Sequence, residues 1–325
     1  MSKLIAISIG DINGIGIELL LTVRKNKKFN NFVLFTNIDI FNKYLKKKRI
    51  KIKINVVNEK NDKIINFKKN YFNIFTFKSK SINFNTYESI KYCYEFTKIK
   101  KFKGIITLPL RKDLIKKNIS KTFVGHTEFF QKLDNKQSSN MILHHDMINV
   151  SPLTTHINLK SISRIISKKN YLFKKIIDIN KIFRKDFNIK KPKFIISGIN
   201  PHAGENGEIG EEEIKIIKPL IKKLNKINIQ IDGPFSADSM LLMKNIKSYD
   251  CFLFIYHDQA LIRFKYISKF SGVNFTGNLD IIRTSPDHGT AYDLVGKKKV
   301  SKKSLENCFK LINQISKNRQ KYEER

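Results

Sequence analysis

The chain has 325 residues and a formal net charge of +35, from 63 Lys and Arg against 28 Asp and Glu. That length buries a full core and exceeds the usual single domain, so two lobes are expected. No apolar stretch reaches the ~18 residues of a membrane span. Lysine is spread along the whole chain beside Ile, Asn and Phe, with no basic tail and no RNA-recognition or zinc-finger pattern. Neither a nucleic-acid partner nor a membrane is therefore expected, and the positive field favours a small anionic substrate.

The first ten residues are too short in their apolar part for a secretory leader and read as a first strand over Leu4–Ile9. Further strands are predicted over Phe32–Thr36, Ile52–Val57, Tyr71–Phe77, Gly104–Thr107, Met141–Leu143, Ile148–Thr155, Lys193–Ser197, Cys251–Tyr256 and Val273–Phe275. Helical spacing occupies Ile17–Arg24, Tyr87–Ile99, Leu159–Phe183, Glu211–Lys226, Ala237–Lys244 and Lys303–Ile315. This alternation predicts an α/β fold with a mostly parallel sheet. Lys60–Asn70 reads as a surface loop. No Pro/Gly/Ser linker divides the chain, so the lobes interleave: 1–124 with 285–325 form one, 125–284 the other. Cys93, Cys251 and Cys308 show no CxxC spacing, which fits a reducing, cytoplasmic setting without disulfides.

Three of the apolar runs end in a histidine. Val150–Thr155 leads to His156, Phe194–Ile199 to His202 within Asn200–Glu205, and Cys251–Tyr256 to His257-Asp258-Gln259. Ligands of open α/β sheets bind beyond the carboxyl ends of the strands. Three neutral imidazoles delivered there suit one divalent cation with positions left for substrate. His144-His145-Asp146 looks like a ligand cluster but reads as a solvated turn between two short strands.

A second group faces anions. Gly125-His126-Thr127-Glu128 stands where a helix begins, and helix N-termini offer free N–H groups to phosphate. Lys265, Asn274 and Arg283 supply an ammonium, an amide and a forked guanidinium suited to a phosphate and a carboxylate. A third group, Asp287-His288-Gly289-Thr290-Ala291-Tyr292-Asp293, is a glycine turn opening a helix, where backbone N–H groups can approach a nucleotide. The glycines of Gly10-Asp11-Ile12-Asn13-Gly14-Ile15-Gly16 have the wrong intervals for a dinucleotide fingerprint, and no P-loop is present.

These motifs, taken in order, resemble the 4-hydroxythreonine-4-phosphate dehydrogenase family of vitamin B6 biosynthesis. The resemblance rests on Gly10-Asp11…Gly14-Ile15-Gly16…Glu18, Thr107-Leu108-Pro109…Lys112, Gly125–Phe130, Thr154-Thr155-His156, Asn200–Glu205, Gly233-Pro234…Ala237-Asp238, Tyr256–Gln259, Gly272-Val273-Asn274, Ile282–Ser285 and Asp287–Ala291. It implies a two-lobed α/β/α fold similar to isocitrate and isopropylmalate dehydrogenases, with the active site in the interlobe cleft, and a homodimer whose subunits share each site. It implies His156, His202 and His257 as metal ligands, and His126, Thr127, Lys265, Asn274 and Arg283 as substrate contacts. Asp238 and Asp258 match acidic residues near the metal, and with Lys265 they are the catalytic candidates. Asp287, His288, Gly289, Thr290 and Asp293 match a nicotinamide-binding loop. Ile12, Ile17, Asn158 and Arg263 replace prolines usual in the family and bear on loop shape rather than on ligands.

The expected reaction is metal-assisted oxidation of 4-phosphooxy-L-threonine at C3 by NAD or NADP. The product, 2-amino-3-oxo-4-phosphooxybutanoate, loses carbon dioxide to give 3-amino-2-oxopropyl phosphate. Zinc is the expected metal, with magnesium or cobalt as alternatives. A sister enzyme acting on erythronate or threonate 4-phosphate shares the same motifs, and a basic nucleic-acid-binding protein is the remote rival.

Overall fold

The computed structural model describes residues 4–60, 63–242, 246–297 and 300–324. Two compact units interleave along the chain: Met1–Ser139 with Leu279–Ser316, and Asn140–Asn278 with Lys317–Arg325. Thirteen strands among the described residues, numbered along the chain, are β1 (Ile5–Ser8), β2 (Phe32–Phe35), β3 (Ile54–Lys60), β4 (Lys63–Ile65), β5 (Phe72–Phe75), β6 (Ile105–Thr107), β7 (Asn140–His145), β8 (Ile148–Pro152), β9 (Lys193–Ser197), β10 (Gln230–Phe235), β11 (Cys251–Phe254), β12 (Val273–Gly277) and β13 (Arg283–Pro286).

In the first unit the strand order is β13-β6-β1-β2-β5-β3-β4, parallel throughout except for the β3–β4 pair. β1 and β2 are buried at every position, as continuous apolar runs covered on both faces must be. Phenylalanine fills the space beneath the helix Ile82–Lys98. The Phe35 ring lies 5.0, 5.7 and 5.5 Å from those of Phe75, Phe96 and Phe102. The helix His126–Leu133 joins this core through Phe129 and Phe130.

In the second unit the order is β10-β9-β11-β8-β7-β12. The first four strands are parallel, and β7 pairs antiparallel with both β8 and β12. Val150, Ile195, Phe252 and Phe254 from three adjacent strands pack with Phe264 of the helix His257–Ser268. The C-terminal helix ends in this unit, where Arg319 Nε donates to the buried Asp186 Oδ1 at 2.6 Å.

The mostly parallel α/β class is as expected, and several local expectations are corrected. Lys60–Asn70 is not wholly loop, since its described part carries β4. Ala237–Leu241 forms turns rather than a helix; residues 243 and 244 of that expected helix lie outside the described residues. Leu159–Phe183 breaks into a short 3-10 turn and the helices Ile162–Ile166 and Tyr171–Lys185. Asn170, in a left-handed conformation at φ 63°, separates the two helices. His144 and His145 are strand residues, not turn residues: the hairpin turn is Asp146-Met147. The His144 ring shares a 2.7 Å hydrogen bond with Asn149 Oδ1 and packs against Phe187. Its burial holds its pKa below the ordinary imidazole value.

Candidate functional site

Strand register explains how two imidazoles meet in the second unit. β8 and β11 run side by side, with Pro152 opposite Phe254. The pairing continues as Leu153 and Thr154 donate to the Phe254 and Ile255 carbonyls at 2.8 and 3.0 Å. His156 and His257 therefore leave the same sheet edge, with ring centroids 6.1 Å apart. Two imidazoles on one cation span up to ~6.4 Å between centroids, from metal–nitrogen distances of ~2.1 Å and the ring radius. His257 Nδ1 shares a 2.7 Å bond with Asp258 Oδ1, which leaves Nε2 for a ligand. A tetrahedral ion would hold the two centroids ~5.3 Å apart, so the pair comes within reach of one divalent ion only after a small approach.

His202 follows β9, the neighbour of β11 on its other side. It opens a run of left-handed residues, His202 to Asn206, with φ of 50, 53, 81, 43 and 58°. Each L-residue in such a run costs roughly 1–2 kcal/mol. His202 is exposed. Its charge reaches Asp238, whose pKa is lowered first by the Ser236 hydroxyl and, more weakly, by this imidazole. Among the described residues, no three His, Cys, Asp or Glu side chains are gathered tightly enough to hold a metal. The structure thus brings the rings of His156 and His257 near each other and ties Asp258 to His257, and it does not gather His202 with them.

Lys265 lies on the helix begun by His257, its ammonium 5.5 Å from the Phe270 ring centre. Asn274 sits on β12, its buried Oδ1 without a hydrogen-bond partner among the described residues.

The first unit holds the other candidates. Arg283, at the start of β13, is 1% exposed. Its Nε and Nη2 donate to Thr107 Oγ1 at 3.0 and 2.5 Å, and its guanidinium stands 5.8 Å from the Phe130 ring centre. Burial pushes its pKa down to about 10. His126 and Thr127 occupy the first turn of the helix His126–Leu133, which is capped by Gly125 with no side-chain cap bond. A glycine cap leaves the first N–H groups for an anion. His126 Nε2 is buried without a hydrogen-bond partner among the described residues. Burial, then the charges of Arg283 and Lys112, hold this imidazole well below its ordinary pKa and neutral. Lys112 and Thr107 were not singled out as site residues from sequence; the motif Thr107-Leu108-Pro109…Lys112 carried the signal.

The loop after β13 rests on the first turn of the chain. Ile15 N donates to Thr290 O at 2.9 Å, Gly296 N to Glu18 Oε2 at 2.8 Å, and the Tyr292 hydroxyl to Asp11. A side chain at Gly14 would stand 2.9 Å from Thr290 O, so this glycine permits the close approach. Asp287 is buried, with its N–H on Ser304 Oγ at 2.9 Å, and His288 Nδ1 lies 3.1 Å from Gly289 O. Gly289 faces open space, and Asp293 is exposed. The turn Gly10–Gly16, which lacks a dinucleotide spacing, serves as the platform for this second glycine loop.

A mostly parallel α/β frame with imidazoles and a dry guanidinium at its strand ends defines a class: an enzyme built for small anionic substrates. The profile of the pyridoxal phosphate biosynthetic protein PdxA matches residues 28–312. A 4-hydroxythreonine-4-phosphate dehydrogenase of Wigglesworthia glossinidia brevipalpis is 41% identical over 217 residues, covering 67% of this chain and 65% of the relative. One of Sulfurihydrogenibium sp. is 34% identical over 300 residues, covering 90% of this chain and 92% of the relative. A D-threonate 4-phosphate dehydrogenase of Pectobacterium atrosepticum is 34% identical over 213 residues, 66% of this chain and 64% of its own. The crystal structure of a 4-hydroxythreonine-4-phosphate dehydrogenase from Burkholderia phymatum superposes with a TM-score of 0.75 at 26% identity, covering 98% of each chain. The chain belongs to the PdxA family of pyridoxal phosphate biosynthetic proteins, and its class is that of the family's dehydrogenases. No helix among the described residues is long and apolar enough to cross a membrane.

Proposed function

We propose that the chain oxidises 4-phosphooxy-L-threonine at C3 with NAD or NADP as the second substrate. The observation that carries this reading is the buried His126 Nε2, without a partner, beside Arg283 and Lys112 at a glycine-capped helix start. A phosphate would give His126 Nε2 a partner and draw a proton onto it, with Arg283 and Lys112 supplying the positive charge around it. Thr127 adds a hydroxyl on the same turn. Asn274, whose buried Oδ1 can accept a hydrogen bond, is assigned to the substrate's amine.

His156, His257 and His202 are the residues we assign to one divalent cation, zinc first, with cobalt or magnesium as alternatives. When bound, that ion supplies Lewis acidity to the C3 oxygen and lowers the pKa of its hydroxyl. Asp258 is already committed to His257 Nδ1, so it orients the ring, and Lys265 is left as the residue that takes the hydroxyl proton. Asp238 is held below the ordinary carboxylate pKa, chiefly by the Ser236 hydroxyl, and so keeps its negative charge. Hydride leaves C3 for the nicotinamide, and the β-keto acid product releases carbon dioxide to give 3-amino-2-oxopropyl phosphate. The loop of Asp287, His288, Gly289, Thr290 and Asp293 is assigned to the nucleotide, with Gly289 giving backbone access. A homodimer and a cytoplasmic setting belong to this reading; the three buried, free cysteines support the latter.

The test is NAD(P)H formation by the purified chain with 4-phosphooxy-L-threonine, before and after chelation. Turnover that stops on chelation and returns with zinc or cobalt is expected. Turnover that survives complete metal removal overturns the mechanism. The D-threonate relative gives the sister reading its specific support, and equal or higher kcat/KM with D-threonate 4-phosphate favours it.

A further inference from the structure

The left-handed run His202–Asn206 is a conformation that a chain of L-residues holds only where its surroundings fix it. The surroundings here centre on one carboxylate. Glu213 is 1% exposed. Its Oε1 accepts the Ile199 and Asn200 N–H groups at 2.7 and 2.9 Å, and its Oε2 accepts Asn200 Nδ2 at 3.0 Å. The same Nδ2 donates to Glu212 Oε2 at 2.8 Å, and Glu212 Oε1 accepts the Ser163 hydroxyl at 2.7 Å, which ties the group to the helix Ile162–Ile166. The loop folds tightly over the carboxylate. A side chain at Gly198 would stand 2.7 Å from Glu213 Oε1, and one at Gly204 would stand 2.6 Å from Oε2. Both oxygens are acceptors facing donors. A glutamine of the same shape would turn its NH2 group toward one of those donors and break the clamp.

We infer that Glu213 is a positioning residue for His202: its carboxylate fixes the backbone from which that imidazole joins His156 and His257 on a divalent cation. The inference rests on the metal reading above. Glu213 itself touches no assigned ligand, and neither it nor Gly204 belongs to the catalytic or substrate-binding set.

The test is a cobalt(II) titration of the metal-free full chain, followed by visible absorption, together with hydrogen exchange at the Ile199 and Asn200 amides. Glu213→Gln is expected to weaken cobalt binding about 10- to 100-fold, as loss of an orienting partner does. It should also speed exchange of both amides at least ~10-fold, the scale of one lost charge-assisted hydrogen bond. Glu213→Asp should recover part of the cobalt affinity. Gly204→Ala leaves the carboxylate in place but pushes the loop off it, and should weaken cobalt binding in the same direction. It carries the test if the glutamine variant does not fold. Wild-type cobalt affinity and spectrum in a folded Glu213→Gln chain, or in Gly204→Ala, overturn the inference. Wild-type affinity in His202→Ala overturns the metal reading instead, so the two failures are distinguishable.

Discussion

The two candidate clusters, one in each unit, carry their charged groups in opposite ways. In the first, Arg283 is 1% exposed, bonded to Thr107 and set against Phe130, while His126 is kept neutral by burial and nearby cations. In the second, His156 and His202 are exposed at left-handed positions and His257 is half-exposed. The difference separates two kinds of binding. On the proposed function, the Arg283–His126 cluster is assembled by folding, so its desolvation cost falls on stability and an anionic ligand would meet a prepared surface. The imidazole cluster leaves little charge buried, so its ordering cost falls on binding. Mutations in the first should therefore change both stability and substrate affinity, and mutations in the second should change metal affinity alone.

Arg283→Met gives the sharpest contrast. Loss of a buried guanidinium from a phosphate should lower kcat/KM about 100- to 1,000-fold, or ~3–4 kcal/mol. The unliganded chain should melt at the same temperature or higher, because an apolar side chain replaces a desolvated cation. A large fall in melting temperature with an unchanged KM would make Arg283 structural and erase the distinction. His156→Ala comes next: cobalt or zinc affinity should fall at least ~100-fold, on the order of 2.7 kcal/mol. Its metal-free melting temperature should match the parent, as calorimetry would show.

Lys98→Met probes the frame behind the anion cluster without touching it. Lys98 bridges Asp134, whose side chain is fully buried just past the helix that carries His126, and Asp280, at 2.7 and 2.6 Å. Lys98 is 40% exposed, so urea denaturation should show a loss of about 2 kcal/mol rather than the full cost of a buried pair. KM should stay unchanged.

The last effect is pH-dependent. His126 is held well below the ordinary value, and His144 and His145 are lowered too, all three chiefly by burial. The unfolded chain therefore binds protons below ~6.5 that the folded chain refuses, and stability falls as the pH falls, by up to ~1.4 kcal/mol per unit for each of the buried His126 and His144. His126→Gln should flatten that slope by one group between pH 6.5 and 5, and inorganic phosphate should oppose it in the parent alone. An unchanged slope in the variant would place the titration elsewhere.

The fold class was legible because strand residues such as Phe32–Phe35 and Cys251–Phe254 are uninterrupted apolar runs bounded by polar turns. β10 and β13 were not, since Asp232, Gly233 and Pro234 in one and Arg283-Thr284-Ser285-Pro286 in the other break the apolar pattern. The helix His257–Ser268 was also hidden: its start is polar and only Ala260, Phe264 and Ser268 are buried. Of the candidate site, the delivery of histidines to strand ends was readable from where the runs stop. The clamp on their loop was not, because Glu213 stands in an acidic run, Glu211-Glu212-Glu213, in which only contact with Ile199 and Asn200 marks it out. The support of one glycine loop by another was invisible for the same reason: Gly14 and Thr290 are joined by approach in space, not by spacing.

The most direct measurement compares kcat/KM for 4-phosphooxy-L-threonine and for 4-hydroxy-L-threonine, with metal and nucleotide saturating. A prepared phosphate receptor predicts a preference for the phosphorylated alcohol of at least about 1,000-fold, ~4 kcal/mol, lost in Arg283→Met. Equal kcat/KM for the two alcohols would contradict it.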